Sequence, residues 1–503
     1  MIYKKNLYLN LSFLILFFSI LILFLLRASG TFSFISPMHV ITGGAEDSGL
    51  LAVWLIKNGQ HSFDHFKEFS FLGFEKTELH SVFHYNWLLY YLRSFFVIIF
   101  QKLFFLNDLW VPTLIRLLTL IFSFLSFITL FSILSEIYKL EKFKLFILSF
   151  IIIFGPVTGF WTISAKPDFN YLFFELFAFY LSLKYLDKLS AKILIFIAFI
   201  LFFSFSTKQT SVVLLLSLLF YLLINKNFKK IFIFLFTFFS LNALSFYILG
   251  NEAFKNIFFH GGYGIELQLN HFLLVFFDFL SKSLHIFIPF VALSFLRTKK
   301  LFNLQNNKSK FLIIVLLFSL IQVIPSFHIG SAVNYYFIFY FSLCIYMFNF
   351  FCNNDFNFNH TEKKLIIFFN LIQVCLIVLV LSGIKGNTTP YEYKNVKKFK
   401  QCLIDRNVEG KGFLDNLKYY RLPWISNQND SNPLIVTMVY EIETKEIDFE
   451  ERPIFKVIKN GKFDFLVIKG SQDEAKIKYD LNKYNFIGNC YANQELSIFI
   501  NNY

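Results

Sequence analysis

Runs of large apolar residues, each close to the ~20 positions a helix needs to cross hydrocarbon, alternate with short polar breaks through residues 1–385. Phe143 to Ile163 and Phe169 to Leu186 are two such runs, and Ser164-Ala165-Lys166-Pro167-Asp168 stands between them. The pattern predicts a turn at the membrane surface. Pro167 has no N–H to leave unpaired and suits the first position of a helix, and Asp168 then faces the positive end of that helix's dipole. A carboxylate is thereby fixed at the mouth of a membrane helix, although an isolated Pro-Asp is also simply a good cap. A second break, Phe205-Ser206-Thr207-Lys208-Gln209-Thr210, separates two segments that are each short for a bilayer. Non-helical backbone at that depth is tolerated where it lines a cavity.

The basic residues orient these runs. Clusters stand at Lys4-Lys5, Lys139 to Lys144, Lys184 to Lys192, Lys226 to Lys230, Arg297 to Lys310 and Lys363-Lys364. If all are cytoplasmic, the alternate loops are external and the alternation closes with about eleven spans, amino end inside and carboxyl end outside. His84 to Phe105 would invert every later loop if it crossed, so it is laid along the outer interface as an aromatic-rich helix. The first external loop, residues 28–108, carries Gly43-Gly44-Ala45-Glu46-Asp47. The fourth, Asn251 to Asn270, centres on Phe259-His260-Gly261-Gly262-Tyr263-Gly264.

From residue 386 the composition becomes that of a soluble domain. Val396 to Asp405 reads as a helix, and Pro433 to Tyr440, Phe463 to Lys469 and Leu496 to Asn501 read as strands. The expected architecture is a polytopic α-helical membrane protein over residues 1–385, with a small extracytoplasmic α/β domain over residues 386–503.

Composition agrees: 503 residues are 56% hydrophobic, with 76 Phe and a mean hydropathy of +0.57, far from the soluble norm. The net charge of +14 comes from short clusters between apolar runs, a pattern that orients a membrane protein and needs no nucleic acid. Met1 to Lys5 followed by Leu7 to Leu26 starts like a signal peptide, but its apolar core is too long, so an uncleaved first span is expected. Of the five cysteines, Cys402 and Cys490 both lie in the tail; a disulfide and two free thiols are both open. None has metal-ligand spacing.

The external loops hold the candidate chemistry. Glu46 and Asp47, Asp168, Lys208, His260 and His328 belong to five successive outer loops. Carboxylates facing one another with basic side chains nearby suit a transfer in which an acceptor hydroxyl or amine loses a proton while a phosphate leaves. Soluble nucleotide donors are cytoplasmic, so an external donor has to be carried by a lipid. Arg93 and Arg116 are candidates for phosphate binding, and interfacial pairing explains them equally. Glu175, Asp278 and His285 lie inside apolar runs, where ionisable groups are costly.

Trp161-Thr162-Ile163-Ser164-Ala165-Lys166-Pro167-Asp168 resembles the A-R/K-P-D turn of the GT-C integral membrane glycosyltransferases. The likeness is to the protein mannosyltransferase-like and lipid-A aminoarabinose transferase-like branch, glycosyltransferase family 39. Phe205 to Thr210 is similar to its F-x-T-K-G/Q break, and Glu46-Asp47 occupies the place of its first-loop acidic pair. His84 to Tyr91 resembles its P-P-L-Y-Y-W helix without the prolines, and Gly330 to Tyr336 its G-S-x-x-N-Y-F turn. The resemblance covers roughly residues 1–385 and implies a GT-C-like transmembrane domain. It implies that one of Glu46 and Asp47 is the base or orients the acceptor, with Asp168 in support. Lys166, Lys208, His84, Arg93, Tyr263 and Asn334 are the substrate-binding candidates. His260 is the candidate for a divalent metal ion, which some relatives use and others do not.

The expected function is transfer of a sugar, with inversion, from a polyprenyl-phosphate donor to a lipid, glycan or protein acceptor on the periplasmic side of a bacterial inner membrane. The alternatives are a non-catalytic transporter or flippase of a lipid-linked saccharide, and a glycan polymerase or ligase.

Overall fold

In the computed structural model of the protein, the described residues are 7–32, 85–106, 110–137, 141–250, 267–296, 306–327, 331–352, 359–384, 401–408, 412–414, 453–491 and 495–502, with a few isolated positions. The chain divides into two compact units. One is built from Met1–Ser29, Leu117–Leu249 and Ile265–Thr388, the other from Gly30–Arg116, Gly250–Gly264 and Thr389–Tyr503. The second unit thus draws on three segments that the charge pattern assigns to a single side.

The helices in chain order are α1 (Leu7–Thr31), α2 (Trp87–Phe104), α3 (Val111–Ile137), α4 (Lys142–Phe154), α5 (Asp168–Lys184) and α6 (Ala191–Thr207). They continue with α7 (Val213–Ile224), α8 (Phe228–Leu249), α9 (Leu269–Leu296), α10 (Asn307–Ser319), α11 (Phe337–Cys352) and α12 (His360–Ile384). Among the described residues, seven helical stretches have the length and apolar composition to cross a membrane, including α10 with its 3-10 continuation to Phe327. By that measure α2 qualifies too. Its first turn is set by Asn86, whose Oδ1 accepts from the Trp87 N–H at 2.8 Å.

The run Phe143 to Ile163 is not one helix, contrary to the sequence-based expectation. α4 stops at Phe154 because Gly155 precedes Pro156, and a residue before proline is pushed out of the helical region. Thr158 Oγ1 then donates to the carbonyls of Ile152 and Ile153 at 2.8 and 2.7 Å, groups a helix end leaves unpaired. A Cβ on Gly155 would lie 2.1 Å from the Ile151 carbonyl oxygen, and one on Gly159 2.3 Å from that of Phe154. The chain reverses there and makes a single 3-10 turn, Trp161–Ile163. Ser123 of α3 pins that turn by donating to the Thr162 carbonyl at 3.1 Å.

α5 packs along α6, α6 along α8, α9 along α12, and α10 against both α7 and α11. Phenylalanines divide between two roles. Phe232, Phe236 and Phe239 of α8 point outward, as lipid-facing positions should, whereas Phe279 stacks on Tyr336 with ring centroids 4.6 Å apart.

In the tail, β1 (Gly412–Leu414), β2 (Phe465–Lys469), β3 (Tyr484–Tyr491) and β4 (Glu495–Asn501) form a sheet of order β1-β2-β4-β3. β1 runs parallel to β2, and the other pairs are antiparallel. Helices α13 (Pro453–Lys459) and α14 (Gln472–Lys478) belong to the same domain. Phe413, Phe455, Ile458, Phe463, Leu466 and Phe499 form its core. The expected strands at 463–469 and 496–501 are present to within two residues, whereas the one at 433–440 lies outside the described residues. Cys402 and Cys490 form a disulfide with Cα atoms 6.1 Å apart, which resolves the alternative left open by the sequence.

Candidate active site

α5 begins at Asp168, with Pro167 just outside the helix at φ −73° and ψ −7° instead of at its first position. Asp168, Tyr171 and Glu175 follow at the i, i+3, i+7 spacing that places side chains on one helical face. That face meets the segment between α6 and α7. α6 ends at Thr207, and Lys208 adopts extended backbone at φ −146° and ψ 119°. The chain resumes helix only at Val213.

Lys208 Nζ donates to Asp168 Oδ1 at 2.7 Å, and Asn334 Nδ2 donates to the same oxygen at 2.9 Å. The Lys208 and Asp168 side chains are 2% and 1% exposed. The Lys208 ammonium also lies 5.0 Å from the Tyr171 ring centroid and 4.9 Å from that of Tyr335, within the range of cation–π attraction. Tyr171 is held in turn, its hydroxyl accepting from Gln322 Nε2 at 3.0 Å. Two charges removed from water at this depth are costly unless well matched in geometry and hydrogen bonding. Here two donors and two aromatic faces provide that match. Asp168 Oδ2 is buried with no hydrogen-bond partner among the described residues, and so is the Asn334 side-chain oxygen. The carboxylate therefore has one oxygen engaged and one whose capacity to accept a hydrogen bond is unused.

A second buried group continues along α5. Glu175 accepts from the Leu214 N–H at 2.9 Å and from the Ser211 hydroxyl. Ser211 Oγ is also 2.6 Å from Ser204 Oγ, and Ser204 Oγ donates to the Tyr171 carbonyl at 2.9 Å.

Three residues nominated by sequence therefore converge: Asp168, Lys208 and Asn334, from three separate breaks. Lys166 sits beside them in the chain but is half-exposed, and its backbone N–H donates to Ser164 Oγ at 3.4 Å. The turn is packed within the protein: Thr162, Ile163, Ser164, Ala165, Asp168 and Phe169 are all buried. Arg93 is buried in α2, a helix of the other unit. Glu46, Asp47, His84, His260, Tyr263 and His328 lie outside the described residues. Among the described residues no group of three His, Cys, Asp or Glu side chains is placed to hold a metal ion. Tyr171 and Gln322 escaped the sequence reading, and Tyr335 entered it only inside the Gly330–Tyr336 turn, with no role of its own. Tyr171 was open to detection, being three residues after Asp168 on one helical face.

Protein-family models give no match to the sequence, and neither do curated proteins. Solved structures do match. ArnT from Cupriavidus metallidurans bound to undecaprenyl phosphate aligns with a TM-score of 0.53 at 10% identity, covering 99% of this chain and 97% of its own. The Archaeoglobus fulgidus oligosaccharyltransferase tethered with an acceptor peptide containing the NVT sequon gives 0.51 at 9% identity, covering 93% and 69%. Both are GT-C glycosyltransferases. With a polytopic helical body, a small sheet-bearing tail and this alignment over nearly its whole length, the chain has a GT-C-like fold.

Proposed function

We propose that the protein is an inverting membrane glycosyltransferase that moves a sugar from a polyprenyl-phosphate carrier to a lipid, glycan or protein acceptor at the periplasmic face of a bacterial inner membrane. The observation that carries this reading is the buried Asp168–Lys208–Asn334 group, where three breaks between apolar helices meet in a GT-C-like fold. ArnT is bound to undecaprenyl phosphate, a carrier of the proposed class.

In the proposed reaction the acceptor oxygen attacks the anomeric carbon and a new glycosidic C–O bond forms. The bond from that carbon to the phosphate oxygen breaks, and the polyprenyl phosphate leaves with the electron pair. The acceptor proton passes to a carboxylate, assigned to Glu46 or Asp47. Asp168 Oδ2 orients the acceptor, and the Lys208 ammonium offsets negative charge growing on the departing phosphate. Asn334 fixes the Asp168 carboxylate by occupying Oδ1 alongside Lys208.

One feature favours the rival class. A helix pair broken around a buried lysine, as α6 and α7 are, is also how transporters build substrate sites. A transfer assay separates the two. Membranes containing wild type, Asp168→Asn, or Glu46→Gln with Asp47→Asn are given radiolabelled polyprenyl-phosphate sugars, at matched protein levels. The enzyme reading expects label in a new product with wild type and sharply less with either variant. Equal transfer by all three removes the catalytic assignment.

A further inference from the structure

Glu175 has no part in the reaction just described, yet it is a 3%-exposed carboxylate in the middle of an apolar helix. Such groups are rare in membrane helices and face the bundle interior when they occur. It lies seven residues after Asp168, about 10 Å further along α5 at 1.5 Å per residue. Both its oxygens are spent on the segment that carries Lys208, one on the Leu214 N–H and the other on the Ser211 hydroxyl. The first of these bonds satisfies an N–H that the start of α7 leaves open, since Val212 supplies no side-chain cap. The second engages Ser211, whose Oγ packs 2.6 Å from Ser204 Oγ; Ser204 in turn donates to the carbonyl of Tyr171, the residue whose ring lies beneath the Lys208 ammonium.

We infer that Glu175 is a positioning residue: it anchors the break between α6 and α7 to α5, so that Lys208 is presented to Asp168. α5 then grips the break at two points. Asp168 holds the ammonium itself, and Glu175 holds the backbone that delivers it. Leu214 and Ser211 are six and three residues beyond Lys208, so releasing them frees the segment without touching the ion pair directly. The effect on transfer rests on the proposed role of Lys208; the anchoring does not.

The test therefore has an arm that needs no activity. In a background of Cys344→Ala and Cys375→Ala, with the Cys402–Cys490 disulfide intact, Thr207→Cys, at the buried neighbour of Lys208, is labelled with a small maleimide in purified full-length protein. With Glu175 present the thiol is expected to react slowly. Glu175→Ala should raise the rate about tenfold, the change expected when buried donors lose their acceptor and the segment opens. Glu175→Gln keeps an acceptor for Leu214 and a partner for Ser211, and should restore the slow rate. Ser211→Ala, a milder change, should raise it severalfold and serves if Glu175→Ala does not fold. Equal rates in all of these overturn the anchoring.

In the transfer assay, Glu175→Ala combined with Lys208→Ala should be no worse than Lys208→Ala alone, because the two act through one position. Multiplicative losses overturn the link to Lys208. If Lys208→Ala transfers normally while labelling still responds to Glu175, the proposed reaction fails and the anchoring stands.

Discussion

Lys208 Nζ and Asp168 Oδ1 are 2.7 Å apart although forty residues separate them in the chain, and neither side chain has appreciable contact with solvent. The pair ties the start of α5 to the break after α6. Its two members are therefore unequal to replacement singly and together.

Lys208→Ala leaves Asp168 as an uncompensated buried charge and is expected to cost about 3–5 kcal/mol. Asp168→Asn with Lys208→Met replaces the pair by neutral groups and should recover much of that loss. Thermal unfolding of the detergent-purified protein checks this. A double variant as unstable as Lys208→Ala would show that the pairing is not what holds the two segments.

Asn334→Ala removes one of the two donors to Asp168 Oδ1, an expected cost of about 1–3 kcal/mol, with reduced transfer. Asn334→Asp should be worse, because it replaces a donor by a second carboxylate set against Asp168. Transfer rates and melting points of the two variants, at matched protein levels, decide the matter.

Tyr484 lies outside the membrane part, and its hydroxyl accepts from the Phe463 N–H at 3.2 Å. Burial pushes its pKa up to about 12, whereas an unfolded tyrosine titrates near 10. Between those values the unfolded chain has lost a proton that the folded domain keeps. Stability from this group is therefore whole below about pH 10 and declines from there to about pH 12. Unfolding followed over that interval should show the decline, and Tyr484→Phe should flatten it.

The disulfide joins positions 88 residues apart, and its loss is expected to cost about 2–5 kcal/mol. Cys402→Ser should lower the melting point of the tail. If the tail faces an oxidising compartment, as proposed, Cys402 and Cys490 in wild-type protein quenched directly from cells should take up a thiol reagent only after reduction. Labelling of both without reductant would place the tail on the other side.

Asp168, Lys208 and Asn334 were legible in the sequence because they announce themselves by contrast. A Lys, an Asp and an Asn set in breaks between long apolar runs are conspicuous, and charge alternation places those breaks on one side. What stayed hidden depended on local geometry. The stop at Phe154 was legible in Gly155-Pro156, but the apolar run through Ile163 masks it. Tyr171 and Tyr335 look like ordinary membrane aromatics until Lys208 is seen against their faces. Glu175 stood out as an intramembrane carboxylate, yet its partners Ser211 and Leu214 lie 36 and 39 residues away, beyond any periodicity. In the tail, Ser471-Gln472-Asp473-Glu474 is a capping-box sequence that marks α14; both reciprocal bonds form, at 2.8 and 3.3 Å.

The early end of α4 has a further consequence. At 1.5 Å per residue its 13 residues reach about 20 Å, the 12 of α7 about 18 Å, and the 17 of α5 and of α6 about 26 Å each. All fall short of the ~30 Å of hydrocarbon in a typical bilayer. If the basic ends of these helices lie level with the cytoplasmic surface, as the charge pattern proposes, their other ends and the Asp168–Lys208 pair fall below the outer headgroups. A carrier anchored by its own tail would already be at that level, whereas a molecule without one would have to descend from the water.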